Sequence, residues 1–126
     1  VVMTTRLEDN PALAIRPARP SDAAGLRKLL TQLCYARSLD AVVAAIASAE
    51  DDPRSAILVA AEPGGRLAGG LQVVVSRRLA QGDRGEIASL VVDRDRRSRG
   101  IGEQLARTAA DWLRARGIQR LRRSPG

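Results

Sequence analysis

The chain has 126 residues, 44% of them hydrophobic, and a formal net charge of +7. This length fits one domain, and no apolar run approaches the roughly 18 residues that cross a bilayer. The chain has no histidine and only one cysteine. Catalytic triads built on histidine and an internal disulfide are therefore excluded, and we expect a metal-free cytoplasmic protein that does not bind membranes.

The basic residues are concentrated in the last quarter of the chain. Residues 94–126 carry 10 basic and 3 acidic side chains, whereas residues 1–93 carry 11 of each. Such a cluster can bind nucleic acid, an acidic protein or a polyphosphate cofactor. With only two aromatic residues and no recognised nucleic-acid-binding motif, nucleic acid is not the partner we expect. An Arg-rich binding module without enzymatic activity stays open as an alternative function.

The first part of the chain predicts a strand followed by a helix. Residues 1–11 have no hydrophobic period, so we expect a disordered lead before a single domain over residues 12–126. Ala12–Pro17 is predicted to be a strand, and Ser21 is predicted to cap the first helix. The buried stripe of that helix is expected to consist of Leu26, Leu29, Leu30 and Leu33.

A second helix is predicted directly after the first. Ser38 can cap it, and Pro53 prevents its continuation beyond about Glu50. Cys34 lies beside Leu33, where we expect a small buried hydrophobic residue in preference to a nucleophile. The two helices are expected to cover one side of a sheet. The apolar face of the second helix is formed by Leu39, Val42, Val43 and Ile46.

The middle of the chain predicts three strands in an antiparallel meander. They cover Ala56–Ala61, Arg66–Ser76 and Ile87–Val92, separated by turns rich in Gly, Pro and Arg. The Gly69-Gly70 pair indicates a bulge or a close approach of the backbone. The continuous apolar run of the third of these strands predicts burial on both of its faces.

The last strand of the meander leads into a turn of alternating Arg and Gly and then into an amphipathic helix over Ile101–Arg116, capped by Gly117. A fifth strand is predicted over Ile118–Arg122. The first amides of the helix lack intrahelical partners, and Gly100 and Gly102 allow a phosphate to approach. A helix dipole contributes only about 0.3 to 2 kcal/mol, whereas micromolar binding needs about 8 kcal/mol. The ligand should therefore be long and should also lie along the preceding strand.

The residues of this junction resemble those of a known family. The run Arg97-Ser98-Arg99-Gly100-Ile101-Gly102 matches the R/Q-x-x-G-x-G/A signature of the GNAT superfamily of acetyl-CoA-dependent N-acetyltransferases. The segment from Ile15 to Leu30 resembles the first strand and helix of many members. The resemblance implies an α/β (α+β) fold with a mixed, mostly antiparallel sheet flanked by helices. The usual C-terminal helix and closing strands are missing. The alternative is that the two glycines only shape a turn.

The resemblance also implies a function and a cofactor site. An N-acetyltransferase of this family transfers an acetyl group from acetyl-CoA to a primary amine of a small molecule or a protein. In this sequence, the backbone N–H of Val91 or Val92 would stabilise the thioester oxygen. The residues expected to bind acetyl-CoA are Leu90, Val91, Val92, Arg97, Ser98, Arg99, Gly100, Ile101 and Gly102.

The catalytic groups are less strongly indicated. Glu86 lies eleven residues before Arg97, the spacing of the general base in some members. It could equally be a surface residue paired with Arg84. Tyr35, Arg37 and Ser38 could contact the acceptor or form an ordinary turn with Tyr35 half buried.

The missing C-terminal elements carry the tyrosine that serves the family as general acid. A catalytically impaired CoA-binding protein is therefore a further alternative. We also expect a homodimer in which the partner covers the fifth strand, because that strand would otherwise leave an unpaired edge.

Overall fold

A computed structural model describes residues 13–97 and 99–123. It contains a five-stranded sheet in the order β1-β2-β3-β4-β5. The first four strands pair antiparallel, and β4 and β5 pair in parallel. The predicted meander is confirmed, whereas the predicted disordered lead over residues 1–11 lies outside the described residues. The strands are β1 (Ala14–Pro17), β2 (Ser55–Ala61), β3 (Leu67–Ser76), β4 (Arg84–Val92) and β5 (Leu121–Arg123).

Three helices cover the two faces of this sheet. Helices α1 (Ala23–Gln32) and α2 (Leu39–Asp51) pack together on one face, and α3 (Ile101–Arg114) packs on the other. This arrangement confirms the predicted mixed α/β fold and the prediction that the first two helices form one layer. None of the described helices has both the length and the apolar character needed to span a membrane.

The α3 face of the sheet is closely packed. Leu105, Ala109 and Leu113 are at most 1% exposed and contact the central strands. Glycines in the strands make room for these side chains. An ideal Cβ on Gly85 would lie 2.2 Å from Leu113 Cδ1, and one on Gly69 would lie 3.1 Å from Leu105 Cδ1. The close backbone approach predicted at Gly69-Gly70 is thus confirmed, because Gly70 seats Leu26 of α1 in the same way.

Strands β3 and β4 each contain one bulge. Ala68 is the extra residue of β3, since Ala60 faces Gly69 and Ala61 faces Leu67. Ala88 is the extra residue of β4, because the register jumps from Ser89 to Ile87 opposite consecutive β3 residues. Ala88 and Ser89 are exposed. The prediction that this strand is buried on both faces is therefore wrong, since the bulge and the neighbouring cleft expose its middle.

Helices α1 and α2 begin in different ways. Ser38 caps α2 as predicted, and its Oγ accepts a hydrogen bond from the Ala41 N–H at 3.1 Å. The predicted cap at Ser21 is wrong. Residues Pro20–Asp22 form a turn of 3-10 helix before α1. The Asp22 carboxylate accepts from the N–H of Arg19, the residue before this turn, at 2.7 Å, and no side chain caps the first amides of α1.

Helix α1 is shorter than predicted, which changes the setting of its last residues. Cys34 lies beyond the helix with φ at 66° and is exposed, so the prediction of a buried Cys34 is wrong. Its N–H and that of Tyr35 bond to the carbonyls of Thr31 and Leu30, which is a Schellman end without glycine. Leu33 and Leu39, predicted as buried, are 37% and 45% exposed because they flank this turn.

Helix α3 ends with the predicted glycine. Gly117 has φ at 77°, and the amides of Gly117 and Ile118 bond to the carbonyls of Arg114 and Leu113. Ile118 therefore belongs to the helix end and is 9% exposed, so β5 begins later than predicted, at Leu121. The first strand likewise begins at Ala14.

Candidate functional site

The second half of β4 presents backbone groups at an edge that no described strand covers. The Asp93 N–H donates to the Ala68 carbonyl of β3 at 2.8 Å. Because successive residues of a strand point to opposite edges, Val91 also faces β3, whereas Leu90 and Val92 face away from it. On that far side, the described part of β5 pairs only with Gly85–Ile87. The N–H and C=O groups of Leu90 and the N–H of Val92 are thus available for another extended chain, whereas the Val92 C=O accepts from Arg97 Nε.

The start of α3 lies beside this edge. Gly100 has φ at 76°, a left-handed conformation that disfavours any side chain, so Gly100 does shape the turn. Its carbonyl accepts the first helical bond, from the Gln104 N–H at 3.0 Å. The amides of Ile101, Gly102 and Glu103 therefore precede the hydrogen-bonded part of the helix. Three donors and the positive end of the helix dipole are directed at one place.

Unlike Gly100, Gly102 does not have to be glycine for the backbone to adopt its conformation. A Cβ on Gly102 would lie 3.7 Å from the side chains of Leu90 and Val92, which is ordinary contact. The fold therefore tolerates alanine at this position. The Ile101 side chain is 2% exposed and belongs to the core, so only the backbone of Ile101 can contact a ligand.

A network of ion pairs fixes the loop between β4 and α3. Asp93 is 3% exposed, accepts from the Asp95 N–H at 3.0 Å and pairs with Arg66 at 3.1 Å. The Asp95 N–H, followed by Arg66, lowers the pKa of Asp93. Arg96 pairs with Glu62 in the turn between β2 and β3 and lowers the pKa of that carboxyl. The loop is therefore attached to a neighbouring turn before any ligand binds.

Of the three polar residues predicted to bind the cofactor in this loop, the structure describes two, Arg97 and Arg99. Arg97 is exposed, and its Nε donates to the Val92 carbonyl at 3.4 Å. Arg99 is exposed and lies close enough to contribute to the lowered pKa of Glu62. Ser98 lies outside the described residues. The loop thus places positive charge next to the free edge of β4.

A cleft of about 680 Å³ lies on the α1/α2 face. It contacts β4 along Ile87–Val91, which includes the bulge. Among the residues predicted to contact an acceptor, Tyr35 and Arg37 line the cleft, whereas Ser38 does not. The residues that line the cleft are Leu26, Leu30, Leu33, Tyr35, Arg37, Val42, Ala45, Ile46, Ile57, Gly70, Leu71, Gln72, Ile87, Ala88, Ser89, Leu90 and Val91.

Glu86 lies next to this cleft but does not line it. Gly85 and Ile87 pack toward α3, so the side chain between them faces the cleft side of the sheet. Its carboxylate is 3.6 Å from Arg84 Nε and 3.7 Å from Arg78 Nη2. The ion pair with Arg84, considered above as the alternative to a catalytic role, is therefore present.

Sequence reasoning missed most of the cleft lining. Ser89 and Gln72 are polar groups on adjacent strands that face the cleft, and Gln72 Nε2 is 3.3 Å from Ser55 Oγ. Ser89 interrupts the apolar run of β4, which was the available signal. The residues from α2 and β2 carry no such signal, because they reach the cleft only through the packing of distant segments.

Sequence comparison gives one clear result. A family model described as the Acetyltransferase (GNAT) family matches residues 24–124, which is most of the chain. Among curated proteins, no sequence matches this chain.

Solved structures with the same fold are numerous. Glucosamine-6-phosphate N-acetyltransferase from Arabidopsis thaliana superposes with a TM-score of 0.80 at 21% identity, over 91% of this chain and 83% of that one. A transcriptional regulator from Bacillus halodurans has a TM-score of 0.79 at 23% identity, over 90% and 82%. AAC(6')-Iy, solved with the bisubstrate analogue CoA-S-monomethyl-acetylneamine, has a TM-score of 0.77 at 19% identity, over 90% and 80%. Identities this low establish the shared fold alone.

Proposed function

This chain belongs to the GNAT family of acetyltransferases, and from that premise we propose that it transfers an acetyl group from acetyl-CoA to a primary amine of a small molecule or protein. The observation that carries the proposal is the free edge of β4 leading directly to the unpaired amides of α3. A long ligand with an amide-bearing arm and a pyrophosphate matches both features. Neither feature alone would supply enough binding energy.

The proposed cofactor site uses the described residues as follows. Leu90 and Val92 hydrogen-bond the pantetheine arm through their backbones, and Val91 supports them from the β3 side. The amides of Ile101 and Gly102 bind the pyrophosphate, which Gly100 makes possible by turning the chain. Arg97 and Arg99 add positive charge, and Ser98, which lies outside the described residues, stays a predicted member of the site.

Acetyl-CoA supplies an activated acyl group when it is bound. Of the two amides expected to stabilise the thioester oxygen, Val91 is engaged with β3, so Val92 remains. Leu90 has the same orientation and also lines the cleft, which Val92 does not. We therefore propose the Leu90 N–H as the donor nearest the acceptor amine.

Glu86 is the proposed general base, acting on an amine in the adjacent cleft. Its carboxylate lies within ion-pair distance of Arg78 and Arg84 at the edge of that cleft, where a base could act on the amine. We expect Glu86→Gln to lower kcat and leave CoA affinity unchanged, because the base acts only in the chemical step. Arg78→Gln is the control that disturbs the ion pair and retains the carboxylate. Equal kcat in wild type and Glu86→Gln would assign the proton to water.

The cofactor site is tested best at Gly102. Substitution of Gly100 would add backbone strain at φ 76°, whereas Gly102→Ala fits. Gly102→Asp places a carboxylate against the pyrophosphate and should weaken CoA binding by tenfold or more, about 1.4 kcal/mol. Calorimetry with CoA measures this, and circular dichroism verifies folding.

Two control variants define the result at Gly102. Gly102→Ala should bind CoA within about threefold of wild type, a loss of less than 1 kcal/mol. Ala24→Asp adds the same charge at an exposed position of α1 and should have no effect. CoA affinity in Gly102→Asp equal to that of wild type would overturn the assignment of this site.

The Arg-rich binding module is the weaker alternative. Several of the clustered arginines pair with carboxylates of the same chain, as in Arg96–Glu62 and Arg107–Glu103. These contacts reduce the positive charge available to a polyanion. A homodimer and a cytoplasmic location stay predictions. Sedimentation over a wide concentration range, with and without CoA, tests the dimer.

A further inference from the structure

The chemistry of the cleft restricts the acceptor amine. Most of its lining is aliphatic, including Leu30, Val42, Ile46 and Ile57. None of the described residues that line it is Asp or Glu, and Arg37 is the one charged side chain among them. An acceptor with several ammonium groups would lose hydration in this cleft, where the one nearby carboxylate is that of Glu86 at the edge, already paired with Arg78 and Arg84. An acceptor with many hydroxyl groups would likewise find too few hydrogen-bonding partners in the cleft.

The Arg37 side chain has no partner of its own among the described residues. Its carbonyl accepts from Arg27 Nε at 3.2 Å, which helps to hold the connection between α1 and α2. The guanidinium itself makes no ion pair with any described residue, whereas Arg16, Arg66 and Arg96 each pair with a carboxylate. Its five N–H donors are therefore available to an anion at the cleft.

These observations define the acceptor by chemical class. We propose that it is a primary amine with an apolar carbon skeleton and one carboxylate, and that Arg37 binds the carboxylate while the amine reaches β4 at Ala88–Leu90. This inference rests on the proposed acetyltransferase function. In the reaction, the amine nitrogen bonds to the acetyl carbon and the carbon–sulfur bond breaks. The proton that leaves the nitrogen balances the one taken up by the CoA thiolate.

A matched pair of probes tests the inference. Para-aminomethylbenzoate and benzylamine share an amine on an apolar ring and differ only in the carboxylate. We expect para-aminomethylbenzoate to bind about tenfold more tightly by calorimetry, because it gains a charge-assisted hydrogen bond to Arg37. Neamine and glucosamine-6-phosphate should bind more weakly than either. The same order is expected in kcat/KM with acetyl-CoA.

Variants identify the group responsible for the difference. Arg37→Gln should bring para-aminomethylbenzoate to within about twofold of benzylamine and leave benzylamine unchanged. Arg77→Gln, at an exposed position outside the cleft lining, should preserve the tenfold preference. Loss of the preference in both variants would overturn the role of Arg37.

The binding measurements are made without acetyl-CoA, so they separate this inference from the proposed function. Tighter binding of neamine or glucosamine-6-phosphate, equal binding of the two aromatic amines, or no binding of either at millimolar concentrations overturns the acceptor class. Failure to bind CoA, with the preference for the carboxylate intact, counts against the acetyltransferase and leaves the acceptor class supported.

Discussion

Strand β4 has two different faces, and they serve different purposes. Toward α3, its side chains join a closed core in which Gly85 leaves only enough room for Leu113. Toward α1 and α2, Val91 joins the core but Ser89 borders an open cleft. The closed face fixes the position of the strand and of the loop that follows it. Side chains that line the cleft on the open face can therefore be substituted without moving the free edge of β4 at Leu90 and Val92.

The largest loss of stability should come from shortening a buried side chain on the closed face. Leu105 is fully buried, so Leu105→Ala should lower the free energy of unfolding by about 4 kcal/mol through lost burial and the cavity left behind. Leu33, 37% exposed at the cleft, is the matched control, and Leu33→Ala should cost less than about 1 kcal/mol. Urea denaturation measures both. Similar losses in the two variants would show that the faces do not differ.

A smaller effect should follow from overfilling the closed face. Gly85→Ala places a Cβ 2.2 Å from Leu113 Cδ1 and should cost about 2 to 3 kcal/mol, because α3 or the strand must shift. The double variant with Leu113→Ala should cost less than the sum of the two single variants, since the shortened side chain frees the space. Additive losses in this double-mutant cycle would exclude the contact as the cause.

Acid should distinguish the helices of the two faces. Hydrogen bonds from Arg16 and the Arg19 N–H lower the pKa of Asp22, which attaches α1 to β1. A lowered folded-state pKa contributes stability that is complete above the unfolded value and is lost as the pH falls through the folded value. Below about pH 4, α1 should therefore lose up to about 2 kcal/mol of protection.

Hydrogen exchange of the α1 and α3 amides at pH 3 and pH 7 measures this difference. The middle of helix α3, from Leu105 to Leu113, should change less because apolar contacts hold it in place, whereas its first turn follows the loop that Asp93 and Glu62 fix and should also lose protection in acid. Asp22→Asn should weaken α1 at pH 7 and remove most of the acid effect, whereas Asp83→Asn in an exposed loop should not. Equal acid sensitivity of both helices would contradict the role of Asp22.

The smallest predicted effect concerns the start of a helix on the open face. Ser38→Ala removes the cap of α2 and should cost about 1 kcal/mol, as measured by thermal unfolding. Ser21→Ala should cost close to nothing, because Ser21 is exposed and its side chain does not cap α1. A larger loss at Ser21 than at Ser38 would restore the interpretation made from the sequence.

The regular elements could be predicted because their hydrophobic periods are strong. Helix α3 repeats apolar residues from Ile101 to Leu113, and its glycine end was visible at Gly117. The end of α1 could not be predicted in the same way. Cys34 adopts a left-handed conformation in a position where glycine is usual, so the sequence carried no signal for it.

The candidate site likewise has one part that could be predicted from the sequence and one part that could not. The cofactor side is one continuous stretch from Leu90 to Gly102, so its motif and its neighbours could be found together. The acceptor side is assembled from segments between Leu26 and Val91, and only Tyr35 and Arg37 were anticipated. The bulge at Ala88 was also invisible, because an alanine within an apolar run reads as regular strand.

The bulge at Ala88 has a consequence for changes in chain length. Ile87 and Leu90 are three residues apart and yet both pack toward α3. This is possible because Ala88 has no partner on β3, so the alternation of side chains continues from Ile87 directly to Ser89. Deletion of Ala88 would leave every other β4 side chain on its present face, whereas deletion of Val91 would turn each residue beyond it to the opposite face. Ala88 is therefore the position where this strand can be shortened by one residue with its core intact. The shortened protein would keep its fold and lose only the local bend that borders the acceptor cleft.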